Sequence, residues 1–202
     1  MRQRAPKKPA AERRQMIIES AQEVFAQEGY ANAGTAEIAR AVGVTSAAVY
    51  RYFPSKRDLY LAALRDAGPR LLSVISEIGK EVSDPLETIR RVGLGYYDRV
   101  TGRTPYSRLW FQALGDVGDS DVREAIASNF TAIVEVVAAE LERGKKMGLV
   151  RAELDTRIAA WQFMAIGLTF DLLHQLDLDA ELNRAKVEAW GSLFIDSLRS
   201  QT

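Results

Sequence analysis

Hydroxyl, aromatic and basic side chains are concentrated in a short stretch of the chain. It holds Thr35, Thr45, Tyr50, Arg51 and Lys56. Hydroxyl, ammonium and guanidinium groups commonly donate to the phosphate oxygens of nucleic acids, and arginine also fits the O6 and N7 acceptors of guanine. For catalysis the chain offers no comparable set, because it has no cysteine, one histidine, no Gly-x-Ser-x-Gly motif and no phosphate-binding glycine loop. We therefore predict contact with a nucleic acid and not an enzyme, with no metal or cofactor.

The elements that must position these side chains are predicted to be two short helices joined by a glycine turn. Thr35 is a suitable N-cap for the first of them, which turns Ile38 inward. Gly43 supplies the turn, and Thr45 caps a second helix that carries Val49 inward. This is the sequence form of a helix-turn-helix, which lays its second helix in the DNA major groove.

The sequence of residues 17–64 resembles the DNA-binding domain of TetR/AcrR-type transcriptional regulators. That resemblance covers roughly the first quarter of the chain. Its shared features are the Ala-x-x-Val-Phe of a first helix that Gly29 ends, Thr35, Ile38-Ala39, Gly43-Val44-Thr45, Tyr50-x-Tyr52-Phe53 and Ser55-Lys56.

The resemblance implies roles for residues of the second short helix and its end. Tyr50 and Lys56 match positions that hold the DNA backbone, which sets register without reading sequence. Ser46, Ala47 and Ala48 lie in the first turn, which enters the groove. There both alanine methyl groups can touch a thymine methyl group, and the Ser46 hydroxyl can donate or accept.

The remaining candidates in this stretch have roles that follow from their chemistry. Thr35 and Thr45 lie where helix N-termini present free amides, a natural site for a phosphate oxygen. Tyr52 adds to the exposed aromatic and basic surface. Arg51 departs from the family pattern, in which an aromatic residue is common here. It either reads guanine or pairs with a phosphate, and the sequence leaves both open.

Positive charge is concentrated at the N-terminal end, although the whole chain is neutral. Residues 1–60 carry ten Lys and Arg against six Asp and Glu, a net charge of +4, which leaves −4 on the remainder. Such a division is expected of a DNA-contacting module joined to a separate domain. The N-terminal arm either contacts DNA or is a solvated tail. Its basic residues, with those that begin the first helix, are Arg2, Arg4, Lys7, Lys8, Arg13 and Arg14.

Two C-terminal helices are predicted to pair with those of a second copy. The segment from Ile158 to Leu173 is apolar almost all round, so both its own domain and something else must cover it. A last helix, Ala180 to Leu198, carries an apolar stripe that includes Trp190 and Leu193. In the family that the chain resembles, these two helices form a four-helix bundle with the partner's pair. A two-fold dimer of this kind reads a palindrome.

Aromatic residues in the middle and C-terminal helices predict a small-molecule pocket. Apolar walls with a few hydroxyl groups are the general composition of such sites, although each residue is alternatively part of the core. Arg103 and His174 are the candidate polar contacts, and a single histidine on an apolar helix is commonly a core residue. The aromatic candidates are Tyr96, Tyr97, Trp110, Phe111, Phe130, Trp161 and Phe163.

The predicted fold is all-α, with an N-terminal three-helix helix-turn-helix DNA-binding domain and a larger helical ligand-binding and dimerisation domain. The predicted boundaries are 1–9 for a basic disordered arm, 10–55 for the DNA-binding domain and 56–202 for the remainder. There is no apolar segment of a secretory signal near the N-terminus, and the 158–173 segment is too short and polar to span a bilayer. A cytoplasmic location is therefore expected.

The predicted function is that of a ligand-responsive transcriptional regulator, in the family's default form a repressor. It would bind a palindromic operator as a homodimer and be released by a small apolar or aromatic effector. The resemblance implies that the effector shifts the fourth helix and so changes the distance between the two DNA-binding domains of the dimer. The alternative is a helical dimeric interaction protein whose DNA-binding head is vestigial.

Overall fold

The computed structural model describes residues 9–101 and 105–200, with the side chains of these residues except 67–71, 73–75, 79 and 99–106. Within this part of the chain there are nine α-helices and no β-strand, which confirms the predicted all-α fold. The helices are α1 (Ala10–Asn32), α2 (Thr35–Ala41), α3 (Ser46–Tyr50), α4 (Lys56–Glu81), α5 (Pro85–Thr101), α6 (Pro105–Ala113), α7 (Ser120–Lys146), α8 (Thr156–Gln175) and α9 (Arg184–Leu198).

Two glycines set the path of the chain through the first three helices. Gly29 was the predicted end of α1; it has φ 74° and ψ 162° and interrupts the helix, but helical geometry resumes as far as Asn32. Gly43, between α2 and α3, has φ 69°, a left-handed conformation that favours glycine. The predicted N-cap role of Thr35 is wrong, because Gly34 is the N-cap and Thr35 is the first residue of α2.

The first three helices share a hydrophobic core with later elements. Phe25, Ile38, Val49 and Phe53 are each at most 2% exposed and belong to one buried cluster. That cluster continues into α4, α6 and α7 through Leu59, Leu64, Leu109, Val122 and Ile126. A unit of this size buries little apolar surface alone, so its stability depends on these later helices. The predicted boundary at residue 55 therefore crosses a continuous core.

A second buried cluster joins α5, α7, α8 and α9. Its centre is formed by Leu86, Ile133, Leu141, Ala160 and Ile195. The last helix begins later than predicted, at Arg184 and not at Ala180. The Asn183 side chain accepts a hydrogen bond from Lys186 N at 3.1 Å and so caps α9, while the four residues Asp179–Leu182 form a separate 3-10 turn.

Among the helices described, none is both long enough and apolar enough to cross a membrane.

Candidate nucleic-acid interface and ligand cavity

Helix α3, the second helix of the predicted helix-turn-helix and so its recognition helix, is short because a side chain caps its start and the chain turns after Tyr50. Thr45 Oγ1 accepts a hydrogen bond from Ala48 N at 3.2 Å, as predicted for the cap. Val49, 1% exposed, anchors the helix in the core. Ala47, Tyr50 and Arg51 are exposed on the opposite side, and Ser46 is half-buried. The surface available for contact is therefore one methyl group, one phenol and one guanidinium group, with the Ser46 hydroxyl at its edge.

Ala48 does not belong to this exposed surface. Its residue is only 9% exposed, whereas Ala47 beside it is exposed. Successive helical residues point about 100° apart, so the residue beside an outward-facing one can face the core. This corrects the expectation that both alanine methyl groups face the groove.

The two short helices are tied together at the same surface by their hydroxyl groups. Thr35 Oγ1 lies 3.1 Å from Tyr50 Oη, across the gap between the start of α2 and the end of α3. Each hydroxyl group has a donor and two acceptor sites, so the pair retains capacity for an additional partner. This contact fixes the position of the Tyr50 phenol relative to the N-terminus of α2.

Lys56 and Tyr52 serve the fold as well as the surface. Lys56 Nζ donates to Ala31 O at 3.1 Å and lies 5.0 Å from the centre of the Tyr30 ring, which joins the start of α4 to the end of α1. An ammonium group has three donors, so Lys56 can still bind a phosphate. Tyr52 is half-buried and packs against the N-terminal core. Its part in the fold is therefore larger than the sequence indicated.

Of the predicted basic arm, residues 1–8 lie outside the described residues, and so do Arg2, Arg4, Lys7 and Lys8. Arg14 belongs to α1, and its guanidinium carbon lies 4.9 Å from the centre of the Phe53 ring. Arg13 is a half-buried residue of the same helix. These two cations are therefore held on the helix-turn-helix unit and are not part of a free tail.

Two adjoining apolar cavities lie between α5, α6, α7 and α8. The first has a volume of about 250 Å³ and is lined by residues including Ser107, Phe111 and Leu172. A second, of about 40 Å³, is lined by residues including Tyr96 and Phe163. Their shared wall is formed by Trp110, Phe130, Leu168 and Asp171.

Five of the nine predicted ligand residues line these cavities, namely Tyr96, Trp110, Phe111, Phe130 and Phe163. Arg103 lies outside the described residues. The other three line neither cavity, which corrects the predicted grouping.

Each of these three side chains has a different position. Tyr97 Oη donates to Leu182 O at 3.1 Å, which ties α5 to the segment before α9. Trp161 is 45% exposed on the outer face of α8. His174 Nδ1 lies 2.9 Å from a carboxylate oxygen of Asp179, near the end of α8. Periodicity identified these residues as apolar or polar but not the direction that each one faces.

Sequence reasoning missed the most unusual polar group in this wall, Asp171. It is 2% exposed, and its Oδ2 accepts a hydrogen bond of 2.5 Å from Tyr96 Oη. Its Oδ1 has no hydrogen-bond partner among the described atoms. Burial raises the pKa of Asp171 to about 6, although the hydrogen bond from Tyr96, the nearby Ser107 hydroxyl and the charge of His174 oppose the change. The available signal was a lone carboxylate in an otherwise apolar stretch of α8.

Hydrogen bonds connect the cavity wall directly to the N-terminal helices. The Trp110 indole Nε1 donates to Leu64 O of α4 at 3.4 Å, and Asn129 Nδ2 of α7 donates to the same oxygen at 2.8 Å. Gln112 Nε2 of α6 donates to Ala26 O of α1 at 3.1 Å. Trp110 is therefore bonded to the backbone of α4, and α6 as a whole is bonded to the backbones of both α1 and α4.

A third connection lies at the protein surface. Arg57 Nη2, in the first turn of α4, lies 2.8 Å from carboxylate oxygens of both Asp119 and Asp121 at the start of α7. The hydrogen bond from Arg57 lowers the pKa of Asp119. The three side chains are substantially exposed, so their ion pairs add little to stability. They join the start of α4 to the start of α7.

The outer faces of α8 and its C-terminus, with α9, form an exposed apolar surface, which we call the α8/α9 stripe. Its largest members are Ile158 (60% exposed), Trp161, Leu176 and Leu193 (71% exposed). Leu172, which lines the first cavity, is exposed at the edge of α8. Exposed apolar residues of this size are candidates for an interaction surface.

Comparison with known proteins gives this arrangement a family. Residues 17–63 match the model for bacterial regulatory proteins of the tetR family. The HTH-type transcriptional activator FasR of Mycolicibacterium smegmatis is 33% identical over 104 residues, which are 52% of this chain and 48% of FasR. The nucleoid occlusion factor SlmA of Marinobacter nauticus is 30% identical over 153 residues, which are 73% of this chain and 74% of SlmA. The match thus spans about half the length of FasR and three quarters of SlmA.

A solved structure agrees in fold over nearly the whole chain. The transcriptional regulator FadR of Bacillus subtilis, in complex with stearoyl-CoA, superposes with a TM-score of 0.73 at 20% identity, covering 92% of this chain and 97% of that of FadR. At this identity the likeness concerns the fold alone. The relatives are DNA-binding regulators and not enzymes. With the family model on the helix-turn-helix and the long match to SlmA, the chain belongs to the TetR family of transcriptional regulators.

Proposed function

We propose that this protein is a ligand-responsive repressor that binds a palindromic operator as a homodimer and is released by a small apolar or aromatic effector. The DNA-binding part is the segment 10–55, and the segment 56–202 holds the effector and the dimer contact. One observation carries the proposal. Trp110 lines both cavities and is also hydrogen-bonded to Leu64 O in α4, the helix that follows the recognition helix.

The DNA contact is supported by the surface around α3. Ala47 faces outward in the first turn, where helix-turn-helix proteins read bases, while Tyr50 and Arg51 are exposed at the end of the helix. The Thr35, Thr45 and Lys56 side chains lie around this surface as candidate phosphate contacts. A vestigial DNA-binding domain would not need this set of exposed side chains. We therefore favour a functional DNA-binding domain over the alternative, an interaction protein.

The dimer is supported by the α8/α9 stripe. One helix-turn-helix reads few base pairs, and two copies related by a two-fold axis read a palindrome with the specificity that regulation needs. Pairing α8 and α9 with those of a second copy buries the apolar residues of the stripe and makes a self-complementary contact.

Effector release is supported by the position of the cavities. They lie where α6 is hydrogen-bonded to both α1 and α4. FadR, which has the same fold, was solved with stearoyl-CoA. An effector that binds more tightly when Trp110 is displaced would shift α4 in each protomer. That shift would change the distance between the two DNA-binding domains of the dimer. By linkage, DNA must weaken effector binding by the same factor.

Selection of genomic fragments by the purified protein at fixed salt, with its own upstream region included, tests the proposal. We expect enrichment of a palindromic site, with affinity that falls steeply as salt increases. Placing that site before a reporter gene then tests the sign of regulation, with lower expression expected in the presence of the protein. Enrichment without a common sequence, or binding without salt dependence, would contradict the proposed DNA reader.

A further inference from the structure

The carboxylate of Asp171 is the polar centre of an apolar site. It lies in the wall shared by the two cavities, and the residue is 2% exposed. Tyr96 Oη donates to Oδ2 at 2.5 Å, while Oδ1 has no partner among the described atoms. The carboxylate is thus half satisfied: Oδ1 accepts no hydrogen bond and is itself buried, so a donor reaches it when a neighbouring side chain moves aside.

An unpaired buried acceptor is costly, and more so when it carries charge. Folding has already removed Asp171 from water, so a ligand that donates to Oδ1 recovers an interaction without a second desolvation of this carboxylate. A positively charged donor recovers more than a neutral one, because hydrogen bonds between charged groups are the stronger kind.

The surrounding residues select the sign of the ligand charge. None of the described residues that line the two cavities is a lysine or an arginine. An anionic head group placed here would meet the like charge of Asp171. The rings of Tyr96, Trp110 and Phe130 instead offer the electron-rich faces that attract a cation.

The volume and the lining residues of the site indicate the size and polarity of the remainder of the ligand. The first cavity, of about 250 Å³, is lined mainly by apolar side chains, and its volume lies just below the usual range of roughly 300–1,000 Å³ for small-molecule sites. It suits a compact apolar or aromatic body.

We propose that the effector is a small lipophilic amine, whose ammonium group donates to Oδ1 of Asp171 and whose apolar body packs against Trp110 and Phe130. This inference rests on the proposed function, since it names the chemical class of ligand for the same cavity. Trp110 is hydrogen-bonded to Leu64 O in α4, so an amine that packs against Trp110 can displace α4.

Three probes with one apolar body and different heads test the proposal: 4-phenylbutylamine, 4-phenylbutan-1-ol and 4-phenylbutyrate. Binding of each to the full-length protein is measured by calorimetry at pH 7.5 and fixed salt. We expect the amine to bind about tenfold more tightly than the alcohol or better, as a charge-assisted hydrogen bond allows, and the carboxylate to bind most weakly.

The variant Asp171→Asn keeps the shape of the side chain and removes its charge. We expect it to lose the preference for the amine, with the alcohol affected less than threefold, a limit on the order of the smallest hydrogen-bond contributions. Asp196→Asn, which changes an exposed carboxylate on α9, is the matched control and should keep the full preference. The affinities of the three probes for the unaltered protein test the proposal even if Asp171→Asn does not fold.

An alcohol or carboxylate that binds as tightly as the amine would overturn the inference, and so would an amine preference that persists in Asp171→Asn. Binding of none of the three probes would overturn it as well.

Operator binding is measured separately on the same protein preparation. Release of DNA by the alcohol or the carboxylate alone would refute the amine while leaving the ligand-responsive regulator in place. Failure to bind any operator would refute the regulator itself.

Discussion

The indole Nε1 of Trp110 donates to the carbonyl oxygen of Leu64 at 3.4 Å, so a residue that lines the cavities is bonded to the backbone of α4. Asn129 Nδ2 shares the same oxygen at 2.8 Å. Trp110 and Phe130 also pack against both hydrophobic cores. A ligand at this junction therefore perturbs the core that carries the recognition helix as well as the one that encloses the ligand.

The change Trp110→Phe tests this connection, because it keeps an aromatic ring and removes the donor. We expect stability to fall by about 1 kcal/mol, since Asn129 still satisfies Leu64 O. The factor by which saturating 4-phenylbutylamine weakens operator binding should fall by several-fold, while operator affinity without ligand changes little. Fluorescence anisotropy with labelled operator measures both affinities.

Tyr97→Phe is the matched control for Trp110→Phe, because it also keeps an aromatic ring and removes a donor to a backbone carbonyl oxygen, but Tyr97 lines neither cavity. Its ligand effect should equal that of the unaltered protein. Equal effects in Trp110→Phe would show that the hydrogen bond to Leu64 does not carry the coupling.

The neighbouring residues Ala47 and Ala48 should respond in opposite ways to enlargement. Ala48→Leu places extra methylene groups in a buried position and should cost about 1–3 kcal/mol of unfolding free energy. Ala47→Leu adds them to an exposed position and should leave stability nearly unchanged, but should weaken operator binding. Urea denaturation and operator titration of both variants separate the two effects, and equal loss of stability would contradict the orientation of α3.

Arg51 lies at the C-terminal end of α3, and this position favours a phosphate contact over base reading. We therefore expect Arg51→Ala to weaken binding to operator and to scrambled DNA alike and to reduce the salt slope by about one unit. Lys80→Ala, on the distant end of α4, serves as a control for the loss of one positive charge. A selective loss of about 1–3 kcal/mol on the operator alone would instead assign Arg51 to a base.

The raised pKa of Asp171 makes the stability of the protein depend on pH in a defined direction. The folded pKa of about 6 exceeds the ordinary value of 3.8, so the folded state binds the proton more tightly. The resulting stabilisation is complete below about pH 4 and is lost as pH rises through 6. Tyr96 and His174 are the titratable neighbours whose interactions act on this carboxyl group.

Asp171→Asn stays neutral at every pH, so it should gain stability relative to the unaltered protein as pH rises. We expect a gain on the order of 2 kcal/mol between pH 4.5 and pH 8. Urea denaturation at these two values measures it at one protein concentration. Asp196→Asn should show no comparable trend, and a pH-independent difference for Asp171→Asn would contradict the burial of an ionised carboxylate.

The α8/α9 stripe predicts the effect of charge on assembly. Leu193→Glu places a carboxylate at its most exposed apolar residue, so we expect monomers at micromolar concentration in sedimentation velocity. Met147→Glu, at an exposed apolar residue outside the stripe, should remain dimeric. A dimer that survives Leu193→Glu would place the contact elsewhere.

Those features that depend on local chemistry were predictable from the sequence. Thr45 caps α3 as predicted, because a cap involves residues two or three positions apart. The inward positions of Ile38 and Val49 followed from periodicity in the same way. For such features the chain near the residue holds the needed information.

Features that depend on which helices meet were not predictable. Trp110 and Trp161 both lie in apolar stretches, yet one lines the cavities and the other faces outward, and only the packing of α6 and α8 decides this. Asp171 interrupts an apolar run of the sequence, which does not indicate whether its side chain is buried. Its burial follows from the approach of Tyr96, which is 75 residues distant in the chain.

A footprint of the operator recovered from genomic selection tests the central claim, that two copies of α3 held together by the α8/α9 stripe read the DNA. We predict two protected half-sites related by a two-fold axis, with centres about 10 base pairs or a multiple of this apart. Protection should be lost in Tyr50→Ala and in Leu193→Glu at concentrations where Met147→Glu still protects both. A single protected half-site, or full protection by Leu193→Glu, would contradict the account.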